Sequence, residues 1–151
     1  MPTFYTIEEI EDKIVAALQA QAGHYVRTCK SHQGELSNEE AFVKQLALLP
    51  AMLVVFVKRT PGQLSPYGHV QKYEHQFDIM LIASDMRGEH MAREKPGGVY
   101  QMIQDCDDAL LDQKLGMDLP TPIRPGGTEL QFTTPTLSAF TTTYFVDVYR
   151  V

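Results

Sequence analysis

The sequence predicts an α+β fold: a mixed, mainly antiparallel β-sheet built on a long central hairpin and packed by about three helices. Three observations carry the prediction. Residues Pro50 to Val57 read PAMLVVFV, in which Leu53 to Val57 are apolar without a break and mostly β-branched or aromatic, as suits a central strand covered on both faces. The run from His69 to Ser84, HVQKYEHQFDIMLIAS, answers it. There Tyr73, His75, Phe77, Ile79, Leu81 and Ala83 fall on one side, and Lys72, Glu74, Gln76 and Asp78 on the other, the alternation of a half-buried strand. Finally, stretches of helical spacing flank this pair on both sides, so helices pack against the sheet.

Taken in order, Thr6-Ile7-Glu8-Glu9 has the spacing of a capping box, with Tyr5 and Ile10 placed as its hydrophobic staple. A helix starts there, and Ile7, Ile10, Ile14, Ala17 and Leu18 form its apolar stripe up to Gly23. His24 to Cys29 suits a short strand. Ser37-Asn38-Glu39-Glu40 is a second capping box, opening a short helix with Phe42, Val43 and Leu46 inward, which Pro50 stops. Between the two strands of the hairpin, Arg59 to Gly68 contains two prolines and two glycines, which predict a protruding loop that cannot continue a ladder.

After Ser84 the segment DMRGEHMAREKPGG is polar and charged, an exposed loop holding an irregular helical turn. Val99, Ile103, Cys106 and Leu110 return to helical spacing, with closure expected at Gly116 after Lys114 and with Asp105, Asp107 and Asp108 on the outer side. Pro120 to Gly127 is a Pro/Gly-rich connection and Glu129 to Thr134 a short strand. Ala139 to Val151, rich in Thr, Tyr, Phe and Val, completes the sheet. The predicted order is α-β-α-β-β-α-β-β.

At 151 residues the chain is expected to form a single domain, 1–151, with enough surface to bury for a core without staples. Cys29 and Cys106 lie far apart in sequence and imply reduced thiols, not a disulfide framework. MPTFYTIEEIEDK is acidic where a secretory signal needs positive charge. The longest apolar stretch, Leu46 to Val57, is too short for a bilayer and contains Pro50, so no membrane association is expected. A net charge of -6 argues against a surface that grips phosphate backbones.

Signals for chemistry are weak. His69 and His75 share strand parity but lie six residues apart, about 20 Å at the usual rise, too far to bind one ion. Cys29 and His32 have a ligand-like gap that no second pair completes. Pro96-Gly97-Gly98 before a helix lacks the residues of a phosphate loop. Asp105, Asp107 and Asp108 suit a solvated helix face better than a shared-proton pair. No nucleophile elbow is present. No metal, cofactor or catalytic residue is expected, and the chain does not read as an enzyme.

The segments IEEIEDKIVAALQA, LPAMLVVFV and FDIMLIASDMRGEHMAREKPGGVYQMIQDCDDALLDQKLGMDLPTPI, followed by the closing aromatic strand, resemble the Mu-like phage proteins encoded beside the tail sheath and tube. The Leu-Pro-Ala approach to the central strand, the Arg87 to Arg93 loop and the Gly98-Val99-Tyr100 helix start carry most of the likeness. The resemblance implies a tail terminator or tail-completion protein, in a phage or prophage: a structural subunit of a six-fold ring that caps the tail tube, stops its polymerisation and offers a surface for head joining. Its implied partners are further copies of itself, the tail tube protein, and the sheath and head-completion proteins, with DNA passing through unbound. Its implied place is the virion tail, assembled in the bacterial host cytoplasm. A ring needs contacts between two different patches of each subunit. The expected ring or tube contacts are therefore the hairpin tip (Arg59, Pro61, Leu64, Tyr67) and the following loop (Asp85, Arg87, Glu89, Arg93). Rival readings are a head-completion or connector protein, or a small cytoplasmic enzyme or ligand-binding protein using the His69/His75 or Asp105/Asp108 regions.

Overall fold

The computed structural model describes residues 3–31, 49–64, 71–85 and 87–150. Helix α1 spans Ile7–Ala22, and its predicted capping box is present: Glu9 N–H donates to Thr6 Oγ1 and Thr6 N–H to Glu9 Oε2, each at 3.1 Å. Ile10, Ile14, Leu18 and Ala22 form its buried stripe. The first strand, β1, is Thr28–Ser31, a few residues later than the sequence predicts. Arg27 and Thr28 N–H groups both donate to the Pro50 carbonyl, which seats β1 beside the chain that follows Pro50.

That chain is β2, Ala51–Leu64, and it runs antiparallel to β3, Gln71–Ser84. The predicted second helix lies outside the described residues, as do Tyr67 and His69. Two helices lead away from β3, the six-residue α2 (Glu89–Glu94) and then α3 (Val99–Leu110). Strands β4 (Arg124–Thr134) and β5 (Leu137–Arg150) close the chain. The sheet order is β1-β2-β3-β5-β4, parallel only between β1 and β2, so it is mixed and mainly antiparallel.

The core lies between one face of this sheet and the helices. Ile10, Ile14 and Leu18 of α1 and Met102, Cys106 and Leu110 of α3 meet Met52, Val54, Phe77, Ile79, Leu81, Tyr144 and Val146. Strand β3 alternates as predicted, with His75, Phe77, Ile79, Leu81 and Ala83 buried. The opposite face carries a smaller apolar cluster, Leu49, Ala51, Leu53, Ile82, Leu137 and Ala139. Strand β2 is therefore buried on both faces from Ala51 to Val54, but not through Val57, which is 43% exposed.

Four expectations need correction. The stretch after Arg59 is not wholly loop. Arg59, Thr60 and Pro61 pair with His75, Glu74 and Tyr73, and the ladder resumes at Leu64 opposite Gln71 after an irregularity. Proline is tolerated because β1 pairs only with Ala51–Val54, so that beyond Val54 one side of β2 has no partner among the described strands, and a missing N–H on an open edge breaks no ladder bond. Likewise β4 begins inside the Pro/Gly-rich connection, at Arg124. Gly126 fits there because a Cβ would lie 2.7 Å from Phe145 and Thr143 side-chain atoms of β5. Helix α3 ends at Leu110, a turn earlier than the glycine signal suggests, because Asp112 N–H donates to the Ile123 carbonyl and Ile123 N–H to the Gln113 carbonyl, pulling the chain out of the helix. Lastly, Asp105 and Asp107 do not face solvent. Each is half-buried and accepts a tyrosine hydroxyl, Asp105 from Tyr25 and Asp107 from Tyr144 at 2.6 Å.

Candidate functional site

The expected contact residues fall into two groups at opposite ends of β3. Arg59 stands on the exposed part of β2, opposite His75, with its guanidinium carbon 4.5 Å from the centre of the Tyr73 ring. This cation–π contact lays the charge along the sheet surface. Pro61 is exposed opposite Tyr73, and the backbone of Leu64 ends the strand opposite Gln71.

The second group lies ten residues along β3 from His75, roughly 33 Å away at the usual strand rise. Asp85 is held by the Thr136 carbonyl at its N–H, and its carboxylate accepts three bonds from Arg87: the backbone N–H at 2.8 Å, Nε at 3.0 Å and Nη2 at 2.9 Å. Lys95 Nζ lies 3.6 Å from the same carboxylate and donates to the Ser84 carbonyl at 2.6 Å. These bonds hold the Asp85 carboxyl well below the usual carboxylate range, the Arg87 side chain contributing most. Glu89 opens α2, and Arg93 sits half-buried in its last turn. The two groups thus form separate surfaces, not one site.

A polar network not foreseen from the sequence joins β3, β4 and β5 near the far end of the sheet. Asp147 is buried, yet Arg124 Nη2 reaches both its Oδ1 at 3.0 Å and Glu74 Oε2 at 2.7 Å. Thr121 Oγ1 donates to Asp147 Oδ2 at 2.9 Å, and Lys72 Nζ stands 3.5 Å from that oxygen. Gly62, Lys72, Glu74, Thr121, Arg124 and Asp147 line a hollow of about 410 Å³. Its cations and anions neutralise each other, so it is a clasp for the edge strand rather than a seat for a charged ligand. Only the alternation of charge along Lys72 and Glu74 hinted at it; Arg124 and Asp147 are distant in sequence.

His75 is buried against Phe56, their ring centres 5.8 Å apart, and burial with nearby Arg59 lowers its pKa, keeping it neutral. Among the described residues, no three His, Cys, Asp or Glu side chains converge as metal ligands would. Burial pushes the Cys29 thiol up to about 11 and the buried Cys106 thiol well above its ordinary value, so neither is a thiolate near neutral pH. Nor is any helix among the described residues long and apolar enough to cross a membrane.

What remains exposed is backbone edge. Among the described strands β4 pairs only with β5, and all its residues except Phe132 are exposed. The open side of β2 beyond Val54 has Val57 to Gly62 exposed as well. Such edges suit association with another strand. A sequence model of the family described as Bacteriophage Mu, Gp37 matches residues 6–147. No curated protein matches the chain.

Proposed function

The chain belongs to the Bacteriophage Mu Gp37 family, which makes it a phage structural protein and a virion component, and from that premise we propose that it is the tail terminator. In this reading six copies close into a ring on the finished tail tube, block further tube subunits from adding, and present the outer ring face for head joining. The observation that carries the reading is that, among the described strands, β4 pairs on one side alone and β2 lacks a second partner beyond Val54: a subunit with two different strand edges of this kind is suited to head-to-tail contacts that close on themselves.

Two further features support it. The side chains of Asp85 and Asp147 are committed to structural contacts with Arg87 and Arg124, as befits a scaffold. A net charge of -6 keeps a ring traversed by DNA from holding the phosphates that pass.

The test is solution mass by light scattering over a concentration series, with electron microscopy, alone and with added tube protein. A six-fold ring with a central hole, free or on tube ends, is the expected result. A chain that stays monomeric and leaves tube ends bare would overturn the reading.

A further inference from the structure

We propose that neighbouring copies join edge to edge, the open stretch of β2 in one copy pairing antiparallel with β4 of the next, so that one sheet continues through the assembly. This rests on the ring reading above and names its contact. Strand β4 ends the sheet order on one side, and on the other β1 flanks β2 only as far as Val54, leaving the rest of β2 without a partner among the described strands. A joint between these two edges leaves the complementary edge free at each end of the growing chain of copies, and growth stops only on closure. Each edge presents a row of main-chain donors and acceptors that a strand satisfies.

The side chains agree on a register. Among the described residues the exposed large apolar side chains are Val57 (43%), Tyr100 (46%) and Leu130 (51%), and two of these three stand on the two open edges. Lys58 pairs with Gln76, while Glu129 pairs with Thr141 and, through it, lies level with Met80. Gln76 and Met80 have the same parity on β3, so Lys58 and Glu129 emerge on the same sheet face. Placing them opposite each other across the joint sets Val57 opposite Leu130, beside the irregularities that β2 has between Phe56 and Lys58 and β4 between Leu130 and Phe132. An ion pair and an apolar pair form together. Pro61 and Pro125 then fall opposite Gly126 and Gly62 at the far end, where the shared ladder stops, which leaves Val55 to Thr60 as the proline-free paired stretch.

The stagger agrees too. In this register each copy is stepped by four residues along the strands for the four strands crossed, β2, β3, β5 and β4. At about 3.3 Å per residue and about 4.8 Å per strand, that step inclines the strands by about 35°, the tilt at which sheets close. The offset between the two open edges is thus of the size that closure requires.

The test uses disulfide trapping. Directly opposed residues have Cα atoms about 5 Å apart, within disulfide range. A chain carrying both Lys58→Cys and Glu129→Cys, assembled with tube protein and mildly oxidised, is expected to give a ladder of covalent multimers ending at the ring size, while each single variant stops at dimer or below. Independently, Lys58→Glu is expected to weaken assembly several-fold, and adding Glu129→Lys to restore it. Rings that form normally yet give no ladder and ignore both charge reversals would overturn the edge contact and leave the ring standing. Wild-type chain that never assembles, with or without tube protein, would overturn both.

Discussion

Strands β3 and β4 belong to one sheet and differ in almost every constraint. β3 is hydrogen-bonded along both sides, to β2 and to β5, and one of its faces lies under the helices. β4 has a single neighbour among the described strands and exposes nearly all of its eleven residues. A side chain on β3 is chosen by packing, so its sequence describes the fold. A side chain on β4 is largely free of packing, so what it carries, Leu130 and Glu129 among Thr and Gln, describes what the protein meets.

That contrast breaks most sharply at its extremes. Leu81 has no exposure and sits in the centre of the core. Leu81→Ala is expected to cost about 3 kcal/mol through lost transfer energy and the cavity left behind, read as a lower urea midpoint with an unchanged slope. A loss under about 1 kcal/mol would show that the helix-covered face is looser than its burial implies.

A smaller effect is expected where the buried face holds a polar group. Tyr144 of β5 is 1% exposed and its hydroxyl donates to Asp107 at 2.6 Å. Tyr144→Phe keeps the ring and strands a half-buried carboxylate, an expected cost of about 2 kcal/mol at pH 7. A deficit under about 0.5 kcal/mol would show that the hydroxyl adds little to the packing of its ring.

The pH response sharpens the comparison further, since His75 is on β3 and β4 has no histidine. Its folded pKa is lowered from the ordinary 6.5, chiefly by burial. The neutral ring is the one the fold accepts, so its contribution is fully present above pH 6.5 and is lost as pH falls below that value, at up to about 1.4 kcal/mol per pH unit until the folded state also takes the proton. Unfolding measured from pH 7 to pH 5 should therefore show a falling stability that is flatter in His75→Phe. An unchanged slope in the variant would assign the acid sensitivity to other groups.

How much of this was legible follows the same division. The capping box at Thr6, the stripe of α1, the alternation of β3 and the closing strand all stand where local patterns place them, because each pattern reports burial against a continuous core. The reach of β2 past Arg59 was hidden because proline and glycine signal turns, and only the shortness of β1 makes that edge tolerant of Pro61. Asp105 and Asp107 looked solvated because their partners, Tyr25 and Tyr144, are 80 and 37 residues away. The Arg59 and Asp85 groups were placed on surface segments from the sequence; that they lie at opposite ends of one strand required the register.

The last prediction concerns the strand that packing leaves free. Leu130 is 51% exposed and pairs with Phe140 across the β4–β5 ladder. Leu130→Thr keeps a strand-forming residue and removes little buried area, so at concentrations where the chain is monomeric the unfolding midpoint should fall by no more than about 0.5 kcal/mol in stability. An effect as large as that of Leu81→Ala would mean that β4 is held by unseen packing and that the comparison with β3 is false. If instead the fold is indifferent while assembly with tube protein weakens, then an exposed leucine on an otherwise polar edge has a use that the isolated subunit does not reveal, and that use lies in the contact between copies.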